Sequence, residues 1–194
     1  MLIWVSTPEC HSRPFLLLDR DGIINVDRPD YIKHRREFRF YSDALRALRW
    51  LHEHQILVVL ISNQSGLNRG LISWENFWDI HQRMLRGIQD AGGDILGTLY
   101  CPHRPEEGCS CRKPQPGLIQ AASQLFRIPL EETYFIGDRS SDLLAANNAG
   151  CRGVLLDRFG EGSEGMQSDV SGERIKSFYS LMDAVLALSE TWRV

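Results

Sequence analysis

The chain has 194 residues, 43% of them hydrophobic, with 22 lysines and arginines against 25 aspartates and glutamates. That length supports one hydrophobic core and is thin for two, and a net charge of -3 offers no basic field for nucleic acid or an anionic membrane. No apolar run approaches the ~20 residues of a membrane-spanning helix, and the start, MLIWVSTPECHSRP, lacks a basic stretch followed by a long apolar one, so no secretory leader is expected.

FLLL (15–18) reads as a short strand buried on both faces. From Asp43 to His54 the apolar residues fall at 44, 45, 48 and 51, which is helical spacing. ILVVLIS (56–62) is a second buried strand, rich in β-branched residues. Ser73 to Ala91 is an amphipathic helix that Ser73 can cap and Gly92-Gly93 can end. ILGTLY (95–100) is a third strand, and Pro116 opens a helix to about Phe126. TYFIG (133–137) is a fourth strand, Ser140 to Ala149 a short helix closed by Gly150, and GVLL (153–156) a fifth strand. From about 159 the chain becomes a small polar loop, and FYSLMDAVLAL then has the spacing of a docked helix. The alternation predicts an α/β fold, a doubly wound and mainly parallel sheet with no large cap domain. One unit is expected over 1–194, with its core at about 15–157 and a C-terminal loop and helix at about 159–190.

Ligands in such folds sit beyond the carboxyl ends of the strands. There the first strand runs into Asp19 and Asp21, the second into Ser62-Asn63-Gln64-Ser65-Gly66, the third into a cysteine segment and Lys113, and the fourth into Gly137-Asp138-Arg139. Only the last strand points no chemistry at that rim. Residues i and i+2 of an extended segment share a face, so the Asp19 and Asp21 carboxylates repel unless a cation joins them. Magnesium is the hard cation that few carboxylates, water and phosphate hold, with Asp138 as a third oxygen ligand. The competing reading is a pair of salt bridges or a capped turn.

CPHRPEEGCSCRKP (101–114) places Cys101, His103, Cys109 and Cys111 close together. Three thiolates and an imidazole complete a structural zinc shell, which would order a loop with little else to hold it. Such thiols point to a reducing, cytoplasmic compartment. Arg112 and Lys113 follow the last ligand and suit an oxyanion such as phosphate; Ser62 and Asn63 are either phosphoryl donors or plain turn residues. Asp142, four positions after Asp138, can brace the loop after the fourth strand or cap the Ser140 helix. Cys10 and Cys151, and histidines 11, 34, 52, 54 and 81, read as surface or packing residues.

LDRDGIIN, SNQSG, RKP and GDRSSD, in this order, resemble the haloacid dehalogenase superfamily of phosphohydrolases. The zinc loop narrows the resemblance to the D-glycero-D-manno-heptose 1,7-bisphosphate phosphatases, with the histidinol-phosphate phosphatases as close relatives; it spans about Phe15 to Asp157. The resemblance implies a Rossmann-like fold, with Asp19 as the nucleophile that forms an aspartyl-phosphate and Asp21 as the acid that protonates the leaving oxygen and then activates water. Ser62 and Lys113 would stabilise the transferring group. Asp19, the main-chain carbonyl of Asp21, and Asp138 would hold magnesium. Asp27, Arg28, Pro29, Asp30, Asn63, Arg112 and Arg139 would recognise a small phosphosugar of lipopolysaccharide biosynthesis. The short run between His103 and Cys109 is more like the histidinol branch, whereas NVD, SNQSGLNRG and KPQPG are more like the heptose branch. The expected substrate is therefore the heptose 1,7-bisphosphate, losing its 7-phosphate, with histidinol phosphate as the alternative and, from a different class, a phospho-acceptor or zinc-stabilised binding domain without turnover. The oligomeric state is left open, a monomer being the expectation.

Overall fold

The computed structural model describes residues 1–6, 13–160 and 176–192. Seven strands form one sheet: β1 (Leu2–Val5), β2 (Phe15–Leu18), β3 (Leu57–Asn63), β4 (Gly97–Cys101), β5 (Tyr134–Gly137), β6 (Arg152–Leu156) and β7 (Lys176–Phe178). Among the described residues five α-helices accompany them: α1 (Ser42–Glu53), α2 (Trp74–Asp90), α3 (Gly117–Phe126), α4 (Ser140–Ala149) and α5 (Leu181–Ser189). The strand order is β1-β4-β3-β2-β5-β6-β7, all parallel except β1, which runs antiparallel to β4.

The expected strands and helices are present. The short edge strands β1 and β7 are additions, and β4 begins two residues later than the sequence suggested, at Gly97. Both edge strands are partly exposed and carry no run of buried side chains, so periodicity does not reveal them. Ser73 caps α2, its Oγ accepting from the Asn76 N–H at 3.1 Å, and Gly150 closes α4 at φ 83°. The polar loop expected after Phe159, together with Cys10 and His11, lies largely or wholly outside the described residues.

Alternation along β2 sends Leu16 and Leu18 to the face covered by α1, α2 and α5, and Leu17 to the face covered by α3 and α4. Both faces are therefore apolar, and FLLL is buried throughout. The chain moves from β2 through β3 to β4 on one side, then returns to lay β5 and β6 on the other. β2 thus borders the topological switch point, where a crevice opens beyond the strand ends. Asp19 stands there. Among the described residues no helix is long and apolar enough to cross a membrane.

Candidate active site

The crevice is a cavity of about 410 Å³ lined by Asp19, Asp21, Asn63, Arg112, Lys113 and Arg139, among others. That volume suits a small ligand. Lys113 lies at its floor. The ammonium is 2.9 Å from Asp19 Oδ1 and 2.7 Å from Asp142 Oδ1, and it donates to the Ile61 carbonyl at 3.0 Å. Its side chain is 2% exposed. Burial opposes the charge, but Asp142 and Asp19 outweigh burial and raise its pKa further. Asn63 sets the main chain here: its amide donates to the Lys113 carbonyl and accepts from the Lys113 N–H, both at 3.1 Å.

Asp19, Asp138 and Asp142 offer carboxylate oxygens within 4.8 Å of one another. Burial, only partly offset by Lys113, pushes Asp19 up to about 6. Burial and then the charges of Asp19 and Asp142 push Asp138 up to about 8. Asp142 has both oxygens engaged, one on Lys113 and one on the Arg139 N–H at 3.0 Å; it caps α4 and braces the lysine at once. Asp138 Oδ1 is buried without a hydrogen bond, and Arg139 Nε, 4.0 Å away, is beyond reach. Gly22 packs its backbone on this carboxylate at φ 78°; a Cβ there would land on Asp138. Three hard oxygen donors around one lysine, one of them orphaned, fit a divalent cation such as magnesium.

Asp21 departs from the expected arrangement. The chain leaves the extended conformation after Leu18, so its carboxylate does not join that of Asp19 in the acidic cluster. Arg20 grips it instead, with Nη2 2.7 Å from Oδ2, while Asn25 and Gln64 donate at 2.9 and 2.7 Å. Burial would raise its pKa, but the Arg20 charge and these donors hold it below the usual carboxylate range. Only its main chain remains available as the metal ligand the resemblance implied.

The remaining expected residues divide. Asp27, Arg28 and Pro29 line the cavity, with Asp27 ion-paired to Arg139. Asp30 does not line it; it is exposed and pairs with Arg28 and Lys33. Ser62 is buried beneath the wall formed by Asn63, Gln64 and Ser65, its Oγ accepting from Gln64 at 3.1 Å. Arg112 lines the cavity and donates to the His103 carbonyl at 3.2 Å. Arg20 and Gln64 were missed. Their roles depend on how the turn after Asp19 folds, although Arg20 stands between the two aspartates in plain view.

Cys101, His103, Cys109 and Cys111 converge. Their Sγ atoms lie 3.4–3.6 Å apart, and His103 Nδ1 is 3.5 Å from Cys101 and 3.3 Å from Cys111. Ligands about 2.0–2.3 Å from a tetrahedral zinc lie roughly 3.4–3.8 Å apart, so the donor set fits that ion. Burial pushes the Cys101 thiol up, and a bound cation would reverse that preference. Cys151 is buried elsewhere.

A family model described as HAD-hydrolase-like matches residues 110–171. The D-glycero-β-D-manno-heptose-1,7-bisphosphate 7-phosphatase of Pseudomonas putida is 37% identical over 155 residues, 80% of this chain and 88% of its own. The Helicobacter pylori enzyme of that name is 39% identical over 142 residues, 73% and 82% of the two chains. A crystal structure of the Bordetella bronchiseptica D,D-heptose 1,7-bisphosphate phosphatase, complexed with magnesium and phosphate, superposes with a TM-score of 0.81 at 31% identity, covering 91% of this chain and 98% of that one. The chain belongs to the D-glycero-β-D-manno-heptose-1,7-bisphosphate 7-phosphatase family of HAD-like phosphatases.

Proposed function

We propose that the protein removes the 7-phosphate of D-glycero-D-manno-heptose 1,7-bisphosphate. The observation that carries the chemistry is the buried Lys113 ammonium set between Asp19 and Asp142 at the floor of the cavity. It neutralises a carboxylate that must approach an anionic phosphoryl group. Asp19 attacks phosphorus, the bond to the sugar oxygen breaks, and the Asp21 proton goes to that oxygen. The dianionic phosphoryl group beside Asp21 raises its proton affinity for this half of the reaction. Water then attacks the aspartyl-phosphate and gives its proton to Asp21, an ionised base ready on Arg20. Asp19, Asp138 and the Asp21 carbonyl would hold magnesium, which supplies charge neutralisation when bound. Ser62, through Gln64, supports the wall facing the phosphoryl group. Asp27, Arg28, Pro29, Arg112 and Arg139 meet the sugar and its second phosphate, with Asp30 holding Arg28 in place.

The Cys/His quartet would hold structural zinc. A cytoplasmic location, supported by the thiol-rich loop, and a monomeric state are part of this reading. The non-catalytic alternative gives way to the family's phosphatase activity. Histidinol phosphate is the competing substrate and is decided by assay. With magnesium, the purified protein should release one phosphate from the heptose bisphosphate far faster than from histidinol phosphate, and Asp19→Asn should abolish release while remaining folded. Faster turnover of histidinol phosphate would overturn the substrate; unchanged turnover in Asp19→Asn would overturn the nucleophile.

A further inference from the structure

Arg158 stands two residues beyond β6, on the strand tip to which the sequence assigned no chemistry. Its Nε–H donates to the Gly22 carbonyl at 3.0 Å and its Nη2–H to the Ile23 carbonyl at 3.1 Å. Its Nη1–H reaches Asp43 Oδ1 at 3.0 Å, and its Cζ lies 3.8 Å from the centre of the Tyr41 ring. The other Asp43 oxygen accepts the Leu181 N–H at 2.8 Å, so the anchor is itself tied to α5. An ion pair with Asp43 alone would satisfy this charge. The planar fork instead spans two successive carbonyls, a geometry that lysine cannot reproduce.

Those carbonyls belong to the turn that carries the acidic chemistry. The Gly22 N–H donates to the Asn25 carbonyl at 2.8 Å, and Asn25 Nδ2 donates to the Asp21 carboxylate at 2.9 Å. The Gly22 backbone is also the surface against which Asp138 rests. Arg158 does not line the catalytic cavity. The geometry points to Arg158 as a positioning residue for phosphoryl transfer, clamping the Gly22–Ile23 peptides from behind so that Asp21 and Asp138 keep their places relative to Asp19. This rests on the proposed roles of Asp19 and Asp21. Misplacing a catalytic group by about 1 Å costs on the order of 100-fold in rate, so the clamp acts on turnover more than on affinity.

Arg158→Ala and Arg158→Lys in the full chain test it. In both, kcat falls about 10- to 100-fold while KM stays within about twofold, and half-maximal activity requires more magnesium because Asp138 has lost its backing. Deleting the side chain opens onto a neighbouring cavity of about 410 Å³ lined by Gly22, Tyr41, Asp138 and Phe159 among others. Low millimolar guanidinium therefore restores part of kcat in Arg158→Ala and none in Arg158→Lys. Without substrate, amide hydrogen exchange over residues 22–25 accelerates in both variants while β3 and α2 keep the parent's rates. A folded Arg158→Ala with parental kcat overturns the proposal, as does a rise in KM alone or a kcat loss that only tracks the unfolded fraction. A parent that releases no phosphate sinks the proposed function instead, and the exchange rates still decide whether Arg158 holds the turn.

Discussion

Lys113 shows how far one side chain can be committed. Its ammonium is buried, touches two carboxylates, and lies 5.3 Å from the centre of the Phe135 ring. Lys113→Met keeps the volume and removes the charge, leaving Asp19 and Asp142 uncompensated. Breaking a buried pair from one side costs about 3–5 kcal/mol, and losing a charge-stabilising donor costs about 10²–10³ in kcat. Melting curves and phosphate release should show both losses, with added magnesium recovering part of the stability and little of the rate. Asn63 calls for a different measurement. From the sequence it reads as a substrate contact, yet both ends of its amide are spent on the Lys113 main chain. Asn63→Ala should therefore lower kcat roughly tenfold with KM nearly unchanged. A tenfold rise in KM at constant kcat would return it to the substrate.

The cysteine loop is the element that delivers Lys113, two residues after Cys111. Within 101–114 the regular structure is the end of β4 and a single 3-10 turn, Pro105–Glu107; the ends are pinned by the Gln64 N–H on the Cys101 carbonyl at 2.7 Å and by Asn63 on Lys113, with the sulfur cluster between them. The outer part, residues 104–108, is joined to the segment after β3 by two exposed side-chain tethers worth little, Asn68 to Glu107 at 2.9 Å and Arg69 3.6 Å from Glu106, so a bound metal should carry most of the order there. Cys109→Ser is expected to lose its zinc equivalent by elemental analysis, to cost about 2–3 kcal/mol and so to melt roughly 5–10 °C lower, and to lose turnover as Lys113 drifts. Full zinc content with parental melting would remove Cys109 from the ligand set. This element was readable beforehand because thiol spacing is a local code, as were the buried strands whose composition permits no exposed face. Other features were not local. β1 owes its existence to the free edge of β4, which four half-exposed residues cannot announce. Arg158 becomes meaningful only once β6 is known to lie near β2, with β5 alone between them. The turn at Arg20 takes Asp21 out of the period-2 pattern, so the partners of its carboxylate, Arg20, Asn25 and Gln64, could not be read from strand spacing.

At the scale of the whole molecule, acid stability gathers around a residue the chemistry does not use. His81 on α2 is walled in by Trp4, Trp78 and Tyr100, with ring centroids 5.1, 5.3 and 5.8 Å away. Its Nδ1 pairs with the Tyr100 hydroxyl at 2.9 Å, and its Nε2 is buried with no partner. Burial first, and then the nearby charge of Arg20, pull its pKa from 6.5 down to about 4. Between those values the unfolded chain takes up a proton that the folded chain refuses, so stability falls as pH falls through this window. Fully developed, near pH 4 and below, the loss is about 3 kcal/mol. The depressed carboxylates, Asp21 among them, add their own loss at still lower pH, where protonation releases their partners. Saturating magnesium should keep Asp19 and Asp138 ionised and remove their opposing slope, so the stretch from pH 6.5 to 4.5 isolates the histidine. Urea unfolding across that range should show the parent weakening steadily. His81→Gln, which can still hydrogen-bond Tyr100 but takes no proton, should hold a flat profile; an equal slope in both proteins would assign the acid sensitivity to another group.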